Sequence, residues 1–253
     1  MIKYIFIIPY RNREQHKHFF SYYMKYLLED YDKDTYEIIF ANQNNNEPFN
    51  RGAMKNIGFL YAKNKYEYYE DITFIFNDVD TLPFKKNLLN YELGDNEIKH
   101  YYGFYFALGG IFAIKGKDFE KINGFPNLWS WGYEDSVIYK RAIEKGITVN
   151  RSNFFEIGNN NILHIMDEFS KNISIKNQSD YRVNKIIDGL NTLNNVNYLW
   201  NETNNMVDIN NFTCLYNSND KSVVNTSVFN TNTFKRPLPQ KGKLGTFDFY
   251  NFR

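Results

Sequence analysis

Short stretches of this chain carry residues whose types and spacing suit chemistry. "WSWGYEDS", residues 129–136, sets Trp129, Trp131, Gly132 and the adjacent acids Glu134 and Asp135 at what reads as a helix start. Aromatic faces bind sugar rings and apolar surfaces, carboxylates move protons or hold hydroxyls, and glycine lets backbone approach a ligand, so the combination points to a carbohydrate site. Alone, the stretch favours a plainer reading, with the tryptophans in the core and the acids complementing a helix dipole. "NDVDT" puts Asp78 and Asp80 two residues apart beyond an apolar run. Alternate side chains of an extended segment point the same way, and carboxylates so placed can hold a hard divalent cation that bridges two phosphates. Two acids at a strand end are also ordinary turn formers. "PYRNR" supplies Arg11 and Arg13, and "FNR" supplies Arg51. Arginine forks and helix-start amides suit phosphate, although each arginine alone reads as a surface charge.

The elements that must position these groups follow from the hydrophobic pattern. Residues 3–10, 35–43 and 72–80 are apolar runs suited to buried strands, and residues 14–30 and 49–64 between them have helical spacing. That βαβαβ order implies a parallel sheet, whose ligands dock outside the carboxyl ends of the strands. The arginines and the Asp-x-Asp pair all fall at that edge, which raises each above its plainer reading. Together they describe a metal-assisted nucleotide site beside an aromatic and acidic sugar site, hence an enzyme using a nucleotide sugar. Further along, residues 106–115 read as a strand interrupted by a glycine pair, 115–124 as a short helix stopped by Gly124, 133–146 as a helix stopped by Gly146, and 147–151 as a return to the sheet. From about residue 200 the periodicity weakens, and residues 201–211 and 225–245 are polar and turn-rich, which predicts loops or a loosely packed tail. The expected organisation is one α/β domain over 1–200 and an irregular C-terminal extension over 201–253.

Composition narrows the function. A chain of 253 residues is long enough for one large α/β domain, and 30 basic against 29 acidic side chains argue against a nonspecific nucleic-acid binder of the basic-patch type. The single cysteine, Cys214, cannot form an intramolecular disulfide, which argues for a reducing compartment. "MIKYIFIIPYRNR" has too short an apolar run to span a bilayer and no small-residue cleavage site. The expectation is a soluble, cytoplasmic protein with no membrane span and no nucleic-acid partner.

The blocks "IIPYRNR", "FNRGAMKNIGF", "NDVDTLP", "GGIFAIKGKDFEKINGFPNLWSWGYEDS" and "DGLNTL" resemble, in this order, those of the β-1,4-galactosyltransferase family, group 7 glycosyltransferases with a GT-A fold. The resemblance runs from about residue 4 to residue 198, and "INGFPN" followed by Trp-x-Trp-Gly-x-Glu-Asp is its most specific part. It implies a Rossmann-like, mostly parallel central sheet flanked by helices. It also implies that Pro9, Tyr10, Arg11 and Arg13 hold the uridine part of a UDP-sugar donor, with Phe49 and Arg51 a second donor block and Asp78, Val79, Ala107 and Gly110 alongside. Asp80 and His164 are implied as Mn²⁺ ligands. The family has a methionine ligand three residues before that histidine, where this chain has Asn161; an amide oxygen is harder than a thioether and shifts the preference towards Mg²⁺.

The resemblance further implies that Trp131 lines both donor and acceptor sugars, that Trp129 lines the acceptor, and that Glu134 binds donor hydroxyls. Asp135 is implied as the general base that deprotonates the acceptor hydroxyl as it attacks the anomeric carbon, while metal and arginines stabilise the departing UDP, a single inverting displacement. Ser130 replaces a family glycine near the expected acceptor contact, and Ser136 replaces an acid that often follows the base, so acceptor specificity does not carry over. Ala107 stands where many relatives have a tyrosine that limits room at the donor C2 substituent, so an N-acetyl group fits unless a neighbour such as Phe106 refills the gap. The expected activity is transfer of galactose or N-acetylgalactosamine from a UDP-sugar to a hydroxyl of an acceptor glycan. Two alternatives stay open: a GT-A transferase with another donor such as UDP-glucose in glycan or polysaccharide synthesis, and an inactive sugar-binding module.

Overall fold

The computed structural model describes residues 1–165 and 170–227. Its first half follows the expected alternation: β1 (Tyr4–Tyr10), α1 (Glu14–Leu27), β2 (Tyr36–Gln43), α2 (Arg51–Lys65) and β3 (Thr73–Asn77). Every residue of β1 and β3 is buried, the pattern of strands covered on both faces. Next come β4 (Thr81–Pro83), β5 (Glu97–Gly103), β6 (Ile111–Lys115), α3 (Gly116–Lys121), α4 (Glu134–Glu144), β7 (Thr148–Asn150), β8 (Phe155–Glu156) and β9 (Ile162–His164). The remainder is β10 (Ser170–Ser174), α5 (Ile175–Arg182), β11 (Asn194–Asn201), β12 (Met206–Thr213) and β13 (Val223–Ser227).

The central sheet runs β11-β12-β2-β1-β3-β6-β5-β7, with β8 beside β5. Strands β12, β2, β1 and β3 are mutually parallel, and β6 is antiparallel to both β3 and β5. This is the mostly parallel α/β sheet expected. Alternate residues of β1 feed two cores: Ile5 and Ile7 pack with Ile57 and Phe59 of α2, while Phe6 and Ile8 pack with Phe20 and Met24 of α1. Both helices are thereby held against the sheet, and the carboxyl ends of β1, β2 and β3 open at one edge.

The reading of residues 201–211 as loops is corrected. Strand β12 enters the sheet parallel to β2, pairing Met206 with Phe40 and Ile209 with Gln43. Val207 and Ile209 are fully buried, and Asp208 accepts a hydrogen bond from Asn42 Nδ2 at 2.7 Å. Asparagines on the exposed positions conceal a strand whose inward residues are apolar. The sheet thus crosses the boundary drawn at residue 200; residues 225–227, also read as loop, end strand β13 beside β10, and the tail from 228 to 253 lies outside the described residues. Only Ile111–Lys115 of the segment 106–115 is strand. Among the described residues no helix is long and apolar enough to cross a membrane.

Candidate active site

The chain turns sharply after β3. Asn77 Nδ2 donates to the carbonyls of Asp78 (2.7 Å) and Thr81 (2.8 Å), and Asp78 N donates to the Gly110 carbonyl at 3.1 Å. Because residues 78–80 turn instead of continuing as strand, the two acids go to different cations. Asp78 lies 3.7 Å from Arg51 Nη1 and 3.8 Å from Lys55 Nζ, side chains one turn apart on α2. Asp80 accepts from Arg13 Nη1 at 3.0 Å. Between them Val79 is buried in the core, so its side chain offers no surface to a donor.

His164 reaches this turn through strand pairing. β4 and β9 are antiparallel with Thr81 opposite His164, and Ile165 N donates to the Asp80 carbonyl at 2.8 Å. His164 Nδ1 and Tyr102 Oη are hydrogen-bonded at 2.9 Å. In the tautomer that binds a metal through Nε2, Nδ1–H donates to that phenol, and the bond orients the ring. Asn161 stands at the other end of the ladder: its carbonyl accepts from Phe84 N (2.8 Å) and its amide donates to Asn159 Oδ1 (3.1 Å). It does not join Asp80 and His164 through these contacts. Among the described residues no three His, Cys, Asp or Glu side chains converge on a metal position. One carboxylate and one imidazole are donors that would suit a borderline divalent ion.

The second acid pair opens α4. Tyr133 adopts a left-handed backbone (φ 71°), uncommon for a bulky residue, and Glu134 and Asp135 occupy the first helical turn. Glu134 is buried, and its Oε2 has no hydrogen-bond partner among the described residues. Burial and neighbouring Asp135 push its carboxyl up to about 7, against the opposing pull of Arg51 and Lys55. Asp135 is also raised, chiefly by burial and by Asp78, with Lys55 and Arg51 opposing. Asp78 goes the other way: burial disfavours its charge, but Arg51, Lys55, His164 and Arg13 outweigh this and hold it below the usual carboxylate range. Neighbouring acids likewise overcome burial at Arg51 and keep its guanidinium charged. Neighbouring acids therefore titrate in opposite directions, a pattern that clusters at functional sites.

The glycine pair has a structural explanation. A Cβ on Gly109 would lie 2.6 Å from Asp135 Oδ2, so only glycine admits that carboxylate. Gly110 has φ +67°, and a side chain there would meet the Tyr102 carbonyl, so it serves the backbone.

The two tryptophans separate. Trp129 is 7% exposed, stacks on Phe212 of β12 (4.9 Å, 9°) and donates Nε1–H to the Tyr216 carbonyl at 2.8 Å. That corrects its reading as an acceptor contact, since both its ring face and its polar atom are occupied. Trp131 is 36% exposed and is the accessible ring of the two. Ser130 is buried and accepts from Asn177 Nδ2 at 2.9 Å, so it ties the loop to α5 and does not project towards an acceptor. Pro9 and Tyr10 end β1 with both residues buried, Phe49 is half-buried against the core, and Arg11 braces the loop after β2 through the carbonyls of Asn45 (3.0 Å) and Glu47. Ala107 is buried, while Phe106 is half exposed and stacks on Phe104 at 5.3 Å. Sequence reasoning missed Lys55, Gly109 and Tyr102. Of these only Lys55 had a signal, its position four residues after Arg51.

Residues 1–91 match the N-terminal region of glycosyl transferase group 7, and residues 93–165 match the N-terminal domain of galactosyltransferase. Beta-1,4-galactosyltransferase 1 of Mus musculus is 36% identical over 160 residues, which is 58% of this chain and 38% of the mouse protein. Beta-1,4-galactosyltransferase 7 of Drosophila melanogaster is 30% identical over 179 residues, 65% of this chain and 52% of the fly protein. The match thus spans about half or less of these curated relatives. The solved catalytic domain of the Drosophila enzyme, in complex with xylobiose, superposes with a TM-score of 0.69 at 23% identity, covering 87% of this chain and 97% of that one. A mutant of the same enzyme, in complex with manganese, UDP-Gal and xylobiose, superposes with a TM-score of 0.64 at 21% identity, again covering 87% and 97%. At that identity the likeness shows the fold.

Proposed function

Because the chain belongs to the glycosyl transferase group 7 family, we propose that this site transfers galactose or N-acetylgalactosamine from a UDP-sugar to a hydroxyl of an acceptor glycan, with a divalent metal and inversion at the anomeric carbon. The observation that carries the reading is the acid pair at the start of α4, raised in pKa and set against the cations of α2 at the sheet's carboxyl edge. Glu134 holds a buried carboxyl oxygen without a hydrogen-bond partner among the described residues, a costly arrangement that sugar hydroxyls would relieve. Asp135 takes the acceptor's proton as the acceptor oxygen bonds to the anomeric carbon and the bond to the diphosphate breaks, its electron pair leaving with UDP. Arg13 and Arg51, paired with the acids of the turn after β3, would meet the charge that develops on the leaving group, Arg11 would have to leave its loop carbonyls to join them, and Trp131 offers its exposed ring to the sugars. Asp80 and His164 would hold Mn²⁺ or Mg²⁺, which when bound supplies Lewis-acid stabilisation of the diphosphate.

Support comes from relatives that are galactosyltransferases and from a neighbour of like fold that binds manganese and UDP-Gal. Donor choice is read at Ala107: its side chain is as buried as that of Val79 and offers little surface itself, but it is small, and Phe106 is half exposed and stacks on Phe104, which favours use of UDP-N-acetylgalactosamine beside UDP-galactose. The single cysteine and near-zero net charge support a reducing, cytoplasmic setting without nucleic acid.

UDP release from UDP-galactose, UDP-N-acetylgalactosamine and UDP-glucose, with and without Mn²⁺, tests this reading. Release from the first two, lost on chelation and in Asp80→Ala and His164→Ala, is the expected result, with UDP binding in Mn²⁺ weakened by about 10-fold or more in each variant. No release from any donor leaves the inactive sugar-binding module, and preference for UDP-glucose leaves the other transferase.

A further inference from the structure

Lysine is almost never fully buried unless it is paired, yet Lys55 is 1% exposed. Its ammonium Nζ donates to Asp135 Oδ1 at 3.3 Å, lies 3.8 Å from Asp78 Oδ1 and sits 4.6 Å from the centre of the Phe125 ring. The three contacts come from α4, the turn after β3 and the loop before α4, so the ammonium is fixed from three directions. An apolar side chain would suit the buried face of α2 equally well. What the charge adds is a donor aimed at one particular oxygen of Asp135. The other oxygen, Oδ2, packs on the Gly109 side, where a Cβ would lie 2.6 Å from it, and the Asp135 side chain is 24% exposed.

We propose that Lys55 is a positioning residue for glycosyl transfer: it holds Oδ1 of Asp135, so that Oδ2, beside Gly109, is the atom presented to the acceptor hydroxyl. The inference rests on the reading of Asp135 as general base. A carboxylate that rotates about its last torsion spends most of its time misaligned, and a fixed buried donor on one oxygen removes that freedom before the acceptor arrives. In the step itself the acceptor proton passes to Oδ2, the acceptor oxygen bonds to the anomeric carbon, and UDP departs with the electron pair of the broken bond. The charged groups around Asp135 are Lys55 and Arg51 from α2, Asp78 from the turn after β3, and Glu134 beside it on α4. Removing the lysine leaves one cation against two acids, so the limb of the pH profile that reports the base moves to higher pH.

Lys55→Met keeps the length of the side chain and removes the charge. The test is a double-mutant cycle with Asp135→Asn on the full chain, reading UDP release from UDP-galactose with xylobiose and N-acetylglucosamine as acceptor probes, and UDP binding by calorimetry. Lys55→Met alone is expected to lower kcat about 10- to 100-fold, to move the base limb upward and to leave UDP affinity within about threefold. In the Asp135→Asn background the same change should cost less than about twofold, because the group it positions is gone. Full additivity, or a loss of UDP affinity as large as the loss of kcat, overturns the proposal. Asp135→Asn that keeps more than half the wild-type turnover, or a wild type that releases no UDP, overturns the base reading instead. Should Lys55→Met fail to fold, Lys55→Gln, whose amide can still donate to Oδ1, is read through the same cycle and is expected to retain more kcat than it would by additivity.

Discussion

The carboxyl edge of the central sheet and the β11–β12 hairpin at its far side are built on opposite terms. At the edge, Arg13, Arg51, Lys55, Asp78, Asp80, Glu134 and Asp135 crowd together, and Glu134 keeps a buried oxygen without a partner among the described residues. In the hairpin Val207 and Ile209 are fully buried, Trp200 stacks on Tyr61 at 5.1 Å and Phe212 stacks on Trp129 at 4.9 Å. One region keeps charges out of water, which costs stability but prepares a polar environment for chemistry. The other buries apolar surface, which stabilises the fold and offers nothing reactive. The last strand of the sheet thus supports a site to which it contributes no reactive group.

The contrast can be broken most directly at Asp135. Asp135→Asn is nearly isosteric and cannot take a proton, so transfer should fall by roughly two to four orders of magnitude while thermal stability and UDP binding stay near wild type. A melting temperature that collapses along with activity would show that the edge is also structural. The reverse experiment is Ile209→Ala, which should destabilise by about 2–5 kcal/mol in urea unfolding yet leave the kcat of the folded fraction unchanged. A change in kcat would tie the hairpin to the chemistry.

Glu134→Gln sharpens the cost of holding charge at the edge. Since the folded-state pKa of Glu134 is raised from 4.5 to about 7, the fold prefers its protonated form. Its contribution is therefore fully present below the unfolded pKa and is lost as pH rises through the folded value. Wild type should lose roughly 3 kcal/mol relative to Glu134→Gln across that window, measured as unfolding free energies of the two proteins at its ends. A difference that does not vary with pH would mean that the carboxyl is not strained. The smallest effect is expected at Ala107, where Ala107→Tyr should shift the kcat/KM ratio towards UDP-galactose and away from UDP-N-acetylgalactosamine by about tenfold. An unchanged ratio would remove this position from donor choice.

The amino-acid sequence by itself determined the alternation of β1, α1, β2, α2 and β3, because apolar runs and helical spacing are local properties of the chain. With that order came the edge, and with it Arg13, Arg51, Asp78 and Asp80, since side chains just past parallel strands must emerge together. The placement of Glu134 and Asp135 at a helix start was legible for the same local reason. Tertiary structure alone decided which tryptophan is available: Trp129 and Trp131 are equivalent in a stretch without periodicity, and the ring that is buried is chosen by Phe212 and by a carbonyl 87 positions later. It alone made Lys55 more than one basic residue on a helix, by bringing Asp78 and Asp135 to it from distant parts of the chain. β12 was hidden because its outward asparagines lower the mean hydropathy, and its identity as a strand comes from pairing with β2, at the other end of the chain. Periodicity and capping act over a few residues, whereas the burial of a ring, the pairing of a strand and the charge state of a buried acid depend on partners that only the folded chain supplies.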